Sequence, residues 1–143
     1  MTELDYILTK YNFPKRTTNA LTRFEEIEQQ IGFSLPPDYK YFLDNYSEYE
    51  EFVGPELVTL WDTDDLMQIN KDTGIFDNLP LTIGIGNNPS SEFIAIEFLS
   101  NGNYRIVLSP FIDLDKQYHI DIGSSFTDFF VRLDKGVEWF NNK

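Results

Sequence analysis

Residues 32–46 constrain the fold more than any other stretch of the sequence, because they combine the signals that end one helix and start the next. The stretch reads Gly-Phe-Ser-Leu-Pro-Pro-Asp-Tyr-Lys-Tyr-Phe-Leu-Asp-Asn-Tyr. Gly32 can take the left-handed conformation that ends a helix, and Pro36 and Pro37 suit the first turn of a new one. The apolar residues at helical spacing are Leu35, Tyr39, Phe42, Leu43 and Tyr46. We therefore predict two helices meeting at a fixed joint, the second of which buries a broad apolar stripe.

Length and composition indicate one folded, soluble domain. The chain has 143 residues, of which 41% are hydrophobic and 16% aromatic, so it can bury a substantial core. It has no apolar run long enough to span a membrane, and Glu3 and Asp5 interrupt any signal-like start. The absence of cysteine excludes disulfides and thiolate metal sites. We expect a single domain over residues 1–143 that is cytoplasmic and not attached to a membrane.

The charge distribution restricts the kind of partner. The sequence has 24 acidic and 11 basic residues, which give a formal net charge of -13. Residues 48–77 hold nine of the acids and a single base, Lys71. Such a chain repels phosphates, which argues against direct binding of nucleic acid and favours a basic protein partner. The alternative is that the acids only keep the protein soluble.

Five segments have the spacing of amphipathic helices. In chain order they lie around residues 4–11, 22–31 and 37–46, after a cap at Asp62 or Thr63, and after a cap at Ser124 or Ser125. Thr22 and Glu25 form a capping-box pattern at the start of the second helix. The apolar residues that share a face of the last helix are Phe126, Phe129, Phe130, Leu133, Val137 and Phe140. We therefore predict that this helix continues to Phe140.

The middle of the chain has strand patterns. The predicted strands are residues 57–61, 81–85, 92–98 and 104–108, with 118–122 as a possible edge strand. Asn101 and Gly102 lie between the third and fourth of these and are a strong hairpin signal. Residues 47–55 and 71–80 are predicted to be a polar link and a loop. Helices at both ends of the chain, around an antiparallel sheet, give an α+β fold.

No residue pattern meets the requirements of a known catalytic, metal or nucleotide site. His119 is the only histidine, and we expect it at the surface or a sheet edge rather than in a triad with Asp121. The run from Asp62 to Asp65 lacks the Gly and Glu that a calcium loop needs five and eleven residues later. Gly84-x-Gly86 lacks the third glycine of a dinucleotide fingerprint. We predict no catalytic residue, metal or cofactor, although an enzyme acting through paired carboxylates stays an alternative.

Aromatic residues lie among acids in residues 46–52, a combination suited to contact with a basic surface. The alternative is a solvated link with Tyr46 and Phe52 packed into the core. The candidate partner-binding residues are Tyr46, Glu48, Tyr49, Glu50, Glu51, Trp61, Asp62, Asp64 and Asp65. Tyr49 and Trp61 would be the anchors if they are exposed in the free protein.

A further set of motifs gives a family resemblance. They are Ile27, Glu28, Ile31 and Gly32, then residues 35–43 (Leu-Pro-Pro-Asp-Tyr-Lys-Tyr-Phe-Leu), Ile83-Gly84, residues 93–98, and residues 125–130 (Ser-Phe-Thr-Asp-Phe-Phe). In these residues the chain resembles the SUKH superfamily, which includes yeast cell-wall assembly regulators of the Smi and Knr type and many bacterial toxin-immunity proteins. The resemblance spans about residues 20–133. The turn at residues 87–91 departs from it, because members often carry a glycine-rich acidic loop there.

The resemblance implies an α+β domain that binds other proteins without catalysis. In bacteria such domains neutralise toxins, often nucleases. The leading hypothesis is therefore an immunity protein whose acidic segment binds a basic toxin domain. A regulatory protein-interaction module with no toxin partner is the second.

Overall fold

The computed structural model describes residues 2–140. The helices and strands of this part of the chain are, in order, α1 (Glu3–Lys10), α2 (Phe24–Ile31), α3 (Pro37–Asn45), β1 (Tyr49–Val53), β2 (Glu56–Leu60), α4 (Thr63–Asp72), α5 (Ile75–Asn78), β3 (Thr82–Asn87), β4 (Glu92–Phe98), β5 (Tyr104–Pro110), β6 (Ile120–Gly123) and α6 (Phe126–Asp134). A short 3-10 helix, Lys116–Tyr118, lies between β5 and β6.

The strands form one antiparallel sheet in which every strand pairs with its neighbours in the sequence, in the order β1-β2-β3-β4-β5-β6. Tight turns can join sequential antiparallel strands, as they do between β1 and β2 and between β4 and β5, whereas α4 and α5 lie between β2 and β3. The strongest predicted hairpin is β4–β5, which pairs continuously from Glu92 opposite Pro110 to Phe98 opposite Tyr104. β1 and β6 form the two edges. The sheet and its helices confirm the predicted α+β class.

The joint between α2 and α3 is confirmed. Gly32 has a φ of 82° and ends α2, and Pro37 begins α3. Asp38, in the first turn of α3, accepts hydrogen bonds from the backbone N–H and the hydroxyl of Thr127, both at 2.8 Å. These bonds join the start of α3 to the start of α6. The apolar stripe of α3 is buried, as the spacing predicts.

The main core lies between one face of the sheet and the helices α1, α3 and α6, and aromatic rings dominate it. Phe13 makes edge contacts with Phe42, Tyr46 and Phe130, at centroid distances of 6.1, 6.4 and 5.5 Å. Burial of each such side chain contributes about 1.5 to 3 kcal/mol. The rings therefore hold the three helices against the sheet.

The opposite face of the sheet carries a smaller apolar cluster around α5. Ile94 and Ile96 of β4 face the main core, whereas Phe93 and Ala95 face this cluster, as the alternation of a strand requires. Ile75 of α5 packs on them and is fully buried. β4 is therefore covered on both faces, which explains its continuous apolar sequence.

Residues 47–55, predicted as a polar link, instead contain β1. The strand pairs with β2 over five residue pairs through the turn at Gly54 and Pro55. Glu50 and Glu51 in its centre interrupt the apolar alternation by which a strand is recognised in a sequence. Charged residues are tolerated at these positions because β1 is an edge strand. The predicted loop at residues 71–80 likewise contains α5.

Two predicted helix ends are wrong. α2 begins at Phe24 without a side-chain cap, and the N–H of Thr22 donates to Asp64 instead of joining a capping box. α6 ends at Asp134 rather than at Phe140, with Gly136 just beyond it. Phe140 is 63% exposed, whereas Trp139 is buried on the core. Val137 and Phe140 continue the apolar spacing in the sequence, but they lie beyond Asp134, where the helix ends.

Candidate functional site

The β1–β2 hairpin places acids at one edge of the sheet. Glu48, Glu50 and Glu51 are all exposed there. Glu48, Glu50, Thr59 and Trp61 are among the residues that line an open depression of about 380 Å³. We call the three glutamates together with Phe52, which is 57% exposed, the acidic edge. Four of the nine candidate residues, the three glutamates and Trp61, therefore have exposed or half-buried side chains at this hairpin.

The two tyrosines among the candidates lie in the core. Tyr46 ends α3 and is 1% exposed, and its hydroxyl donates to Asp5 at 3.1 Å. Tyr49 is 6% exposed and stacks on Phe13 with ring centroids 3.5 Å apart. Tyr49 therefore does not meet the condition of exposure on which its role as an anchor depended. The strand alternation puts Tyr49 inward and Phe52 outward, so the expected burial holds for Tyr46 and is wrong for Phe52.

Burial and neighbouring acidic groups raise the pKa values of the two inward-facing tyrosine hydroxyls. Burial and the neighbouring Asp5 raise the pKa of Tyr46 to about 12. Burial raises the pKa of Tyr49 to about 12, with the charge of Glu51 acting in the same direction. Both hydroxyls therefore stay protonated at neutral pH. They serve the packing of α1 and α3 rather than the surface.

Trp61 is half-buried and held in place at the end of β2. Its indole N–H donates to the side-chain oxygen of Asn87 at 2.8 Å. Its ring packs against both apolar clusters, and a methyl group added at Gly84 would lie 3.1 Å from it. One side of the ring still lines the depression beside Glu48. The tryptophan thus offers a rigid, partly exposed surface.

Two of the three candidate aspartates have partners within the protein. Asp62 caps α4 by accepting from the N–H of Asp64, and it forms an ion pair with Arg16. Asp64 accepts the backbone N–H groups of Thr22 and Leu21 at 2.7 and 2.9 Å. The bond from Thr22 is the main reason why the pKa of Asp64 lies below its ordinary value. Both aspartates tie residues 16–22 to α4.

Asp65 differs from its two neighbours because its side chain is exposed on the first turn of α4. Within residues 2–140 it forms no side-chain hydrogen bond or ion pair. Glu48 and Glu51 likewise have none in this part of the chain, and Glu50 receives only a long bond of 3.4 Å from Thr59. These four carboxylates are therefore free to interact with another molecule.

His119 lies directly before the edge strand β6, so the expected sheet-edge position is confirmed and the expected surface exposure is wrong. Its side chain is fully buried, and its Nδ1 donates to Glu97 at 3.0 Å. Arg105 also contacts this carboxylate at 3.0 Å, and Lys116 lies 3.7 Å from it. Burial opposes the charged form of Glu97, but the bonds from His119 and Arg105 outweigh it and lower the pKa. The chain reversal over the 3-10 helix brings these groups together, which no local pattern indicates.

The carboxyl groups in residues 2–140 whose pKa is shifted all shift in the same direction. Those with a shifted pKa are Asp5, Glu28, Asp64, Glu97, Asp115, Asp128 and Asp134, and every shift is downward. Burial opposes ionisation at several of them, but nearby donors outweigh it. Such groups stay ionised at neutral pH, whereas a general acid needs a raised pKa. Asp121, considered beside His119, pairs with Arg132 instead.

Residues 2–140 contain no group of three or more acidic or histidine side chains placed to hold a metal ion. In the same residues, no helix has both the length and the apolar character needed to cross a membrane. The run from Asp62 to Asp65 forms the start of α4 rather than a loop.

Fold and surface together define a small α+β domain with an exposed acidic edge. The sequence profile of the SMI1/KNR4 family (SUKH-1) matches residues 20–132. The match covers more than half of the chain, so the protein belongs to the SMI1/KNR4 family. No curated protein matches the sequence. Domains of this family are generally non-catalytic immunity or regulatory modules, and membership implies interaction with other proteins.

Proposed function

We propose that the protein is a cytoplasmic immunity protein that binds and neutralises a basic toxin domain through its acidic edge. The observation that carries the proposal is the group of free carboxylates at the β1–β2 hairpin of a SUKH domain. Glu48, Glu50 and Glu51 project there beside the exposed ring of Phe52. A toxin that acts on nucleic acid needs a basic surface to bind phosphates, and these acids would cover it.

Electrostatics and apolar contact contribute differently to this complex. A net charge of -13 attracts a basic partner over a distance and raises the association rate. Aromatic side chains, once desolvated, slow dissociation. Phe52 is exposed near the turn end of β1, and the half-buried Trp61 lines the depression at the other end of the hairpin. Phe52 therefore replaces Tyr49 as a proposed anchor, and Trp61 keeps the role expected from the sequence.

The existence of a toxin is tested first, in cells. Reading frames that flank this protein are expressed with and without it. The proposal expects that one of them kills the cells unless the protein is present. If none is toxic, the immunity function is rejected, and the regulatory module of the Smi1 type becomes the better proposal.

The electrostatic contribution is tested on the purified toxin complex. We expect the association rate to fall by roughly tenfold or more when NaCl rises from about 50 mM to about 500 mM. The triple substitution Glu48→Gln, Glu50→Gln and Glu51→Gln should lower the rate by a similar factor and flatten this salt dependence. Stopped-flow fluorescence or surface plasmon resonance measures both.

A matched control removes the same charge from elsewhere on the surface. Glu25→Gln, Glu26→Gln and Asp113→Asn lie on α2 and on the loop after β5, and all three side chains are exposed. This control should change the association rate much less than the edge variant. Equal effects of the two triple variants would show that net charge alone matters and that the acidic edge is not the contact surface.

A further inference from the structure

β1 is an edge strand whose outer side is open for pairing. It ends the sheet and pairs with β2 alone, without a register shift, over five residue pairs. Natural edges are usually protected by charged side chains, proline, a bulge or a very short strand. β1, with the sequence Tyr-Glu-Glu-Phe-Val, has no proline and no bulge, and its protection is the negative charge of two glutamates. The opposite edge, β6, is shorter and pairs through an irregular register.

The turn geometry determines which backbone groups of β1 point outward. Gly54 and Pro55 form a two-residue loop, and Gly54 has the φ of 59° that such hairpin turns need at their first central position. Val53 and Glu56 are then the hydrogen-bonded closing pair. Because hydrogen-bonded and non-bonded pairs alternate, Glu51 and Tyr49 also bond to β2.

Glu50 and Phe52 therefore direct their backbone N–H and C=O groups away from β2. In the described part of the chain neither residue forms a backbone–backbone hydrogen bond outside the sheet. The Phe52 carbonyl accepts only a bond of 3.3 Å from the hydroxyl of Tyr49, which agrees with a position off the β1–β2 ladder. In residues 2–140 the N–H groups of both residues and the carbonyl of Glu50 have no other partner, as on a strand that lacks a neighbour, whereas the Phe52 carbonyl is shared with the Tyr49 hydroxyl.

The negative charge of Glu50 and Glu51 determines which kind of strand can pair with β1. A second copy of β1 would place glutamate against glutamate, and like charges on directly opposed residues destabilise a strand pair. A segment with lysine or arginine at alternate positions would instead place a base beside Glu50 or Glu51. Phe52 adds apolar contact at the same edge, where it is 57% exposed.

We propose that β1 binds an extended, lysine- or arginine-bearing segment of the partner protein as an added strand of the sheet. The inference rests on the proposed function and specifies how the acidic edge recognises its partner. Backbone hydrogen bonds from Glu50 and Phe52 would align the segment, and the glutamates would select its charge.

Synthetic peptides test the backbone contacts without the toxin. The probe is a capped peptide of about seven residues in which lysine and valine alternate, a length that matches an ordinary strand. One analogue is N-methylated at every second residue so that the edge facing β1 cannot donate, and a control analogue carries the methyl groups on the other set of residues. Because a segment can pair in either register, both analogues are also made on the peptide shifted by one residue.

We expect the NMR signals of the Glu50 and Phe52 amides to shift on addition of the unmodified peptide. One methylated analogue of each peptide should bind about tenfold more weakly, and the other should bind as the parent does. Equal binding of both analogues would overturn the inference, and so would the absence of peptide binding. Dimerisation of the protein through this edge, seen in sedimentation, would also overturn it.

Protein variants separate the backbone contribution from that of charge. Glu50→Pro removes an outward N–H, which an edge strand tolerates, and Glu50→Gln removes only the charge. The proline variant should bind peptide and toxin about tenfold more weakly than the glutamine variant. If the toxin complex keeps its salt dependence but the two variants bind it equally, the edge pairing fails and the proposed function stands. If no flanking frame is toxic while the peptide results hold, the function fails and the edge pairing stands.

Discussion

At the scale of single residues, buried polar side chains complete the sheet where its own ladder is irregular. Asn70 of α4 is fully buried at the point where the β3–β4 register shifts, between Gly84 and Gly86. Its amide donates to the carbonyl of Gly84 at 2.9 Å and accepts the N–H of Gly84 at 2.7 Å. The side chain of Asn70 thus makes the two hydrogen bonds with Gly84 that a neighbouring strand would otherwise make.

We expect Asn70→Ala to lower the free energy of unfolding by about 2 to 4 kcal/mol, because two buried backbone groups lose their partners. Urea denaturation followed by circular dichroism measures the change. Gln68→Ala, on the exposed side of the same helix, is the control and should cost less than about 1 kcal/mol. Similar losses for both variants would mean that Asn70 does not support β3.

Another residue-scale prediction concerns Glu97, whose pKa lies below its ordinary value of 4.5. The unfolded chain binds a proton at this residue more readily than the folded protein does, so stability rises with pH in this range. The contribution of Glu97 is present above about pH 4.5 and is lost as pH falls through the lowered pKa of the folded state.

Glu97→Gln should therefore be less stable than the parent near pH 7, and the gap should narrow towards about pH 3.5. Urea unfolding at a series of pH values measures this. Glu26→Gln, an exposed site on α2, should follow the parent curve. A gap between Glu97→Gln and the parent that stays constant with pH would contradict the role given to the Glu97 cluster with His119 and Arg105.

At the scale of elements, the hairpin turn holds the acidic edge against the last helix. A methyl group added at Gly54 would lie 2.1 Å from the backbone oxygen of Leu133, at the end of α6. The backbone there cannot move aside as a flexible side chain can. The turn is therefore set both by its own positive φ and by close packing on α6.

Gly54→Ala should cost about 3 kcal/mol or more, since it adds a backbone clash to the strain of a positive φ. Gly102→Ala is a matched control, because Gly102 has a φ of 84° but nothing within 4 Å of the added methyl group. The control should cost only about 1 to 2 kcal/mol. Thermal or urea unfolding of both variants tests the difference, and equal costs would indicate that the contact with α6 is unimportant.

At the scale of the whole molecule, charge and packing are distributed separately. The helices α1, α3 and α6 cover the main core, whereas Glu48 and Glu50 are exposed at the β1 edge of the sheet. The acidic edge therefore carries charged side chains and outward backbone groups without reducing the apolar packing of the main core. The proposed basic partner would contact this end of the sheet, and the salt dependence and the two triple variants test that contact.

Local pattern was sufficient to predict the joint at Gly32, the β4–β5 hairpin, a helix cap at Ser124 or Ser125, the α+β class and the family motifs. These depend on backbone preferences and on periodicity within a few residues. Net charge, also a property of the sequence alone, pointed to a basic partner.

Only the tertiary structure decided which candidate residues reach the surface. Tyr49 and Phe52 are three residues apart in one short strand, yet one stacks on Phe13 and the other is exposed. Asp62 and Asp64 bind groups in residues 16–22, and His119 meets Glu97 across the sheet. Burial and pairing of this kind depend on residues distant in sequence, so short-range spacing cannot encode them.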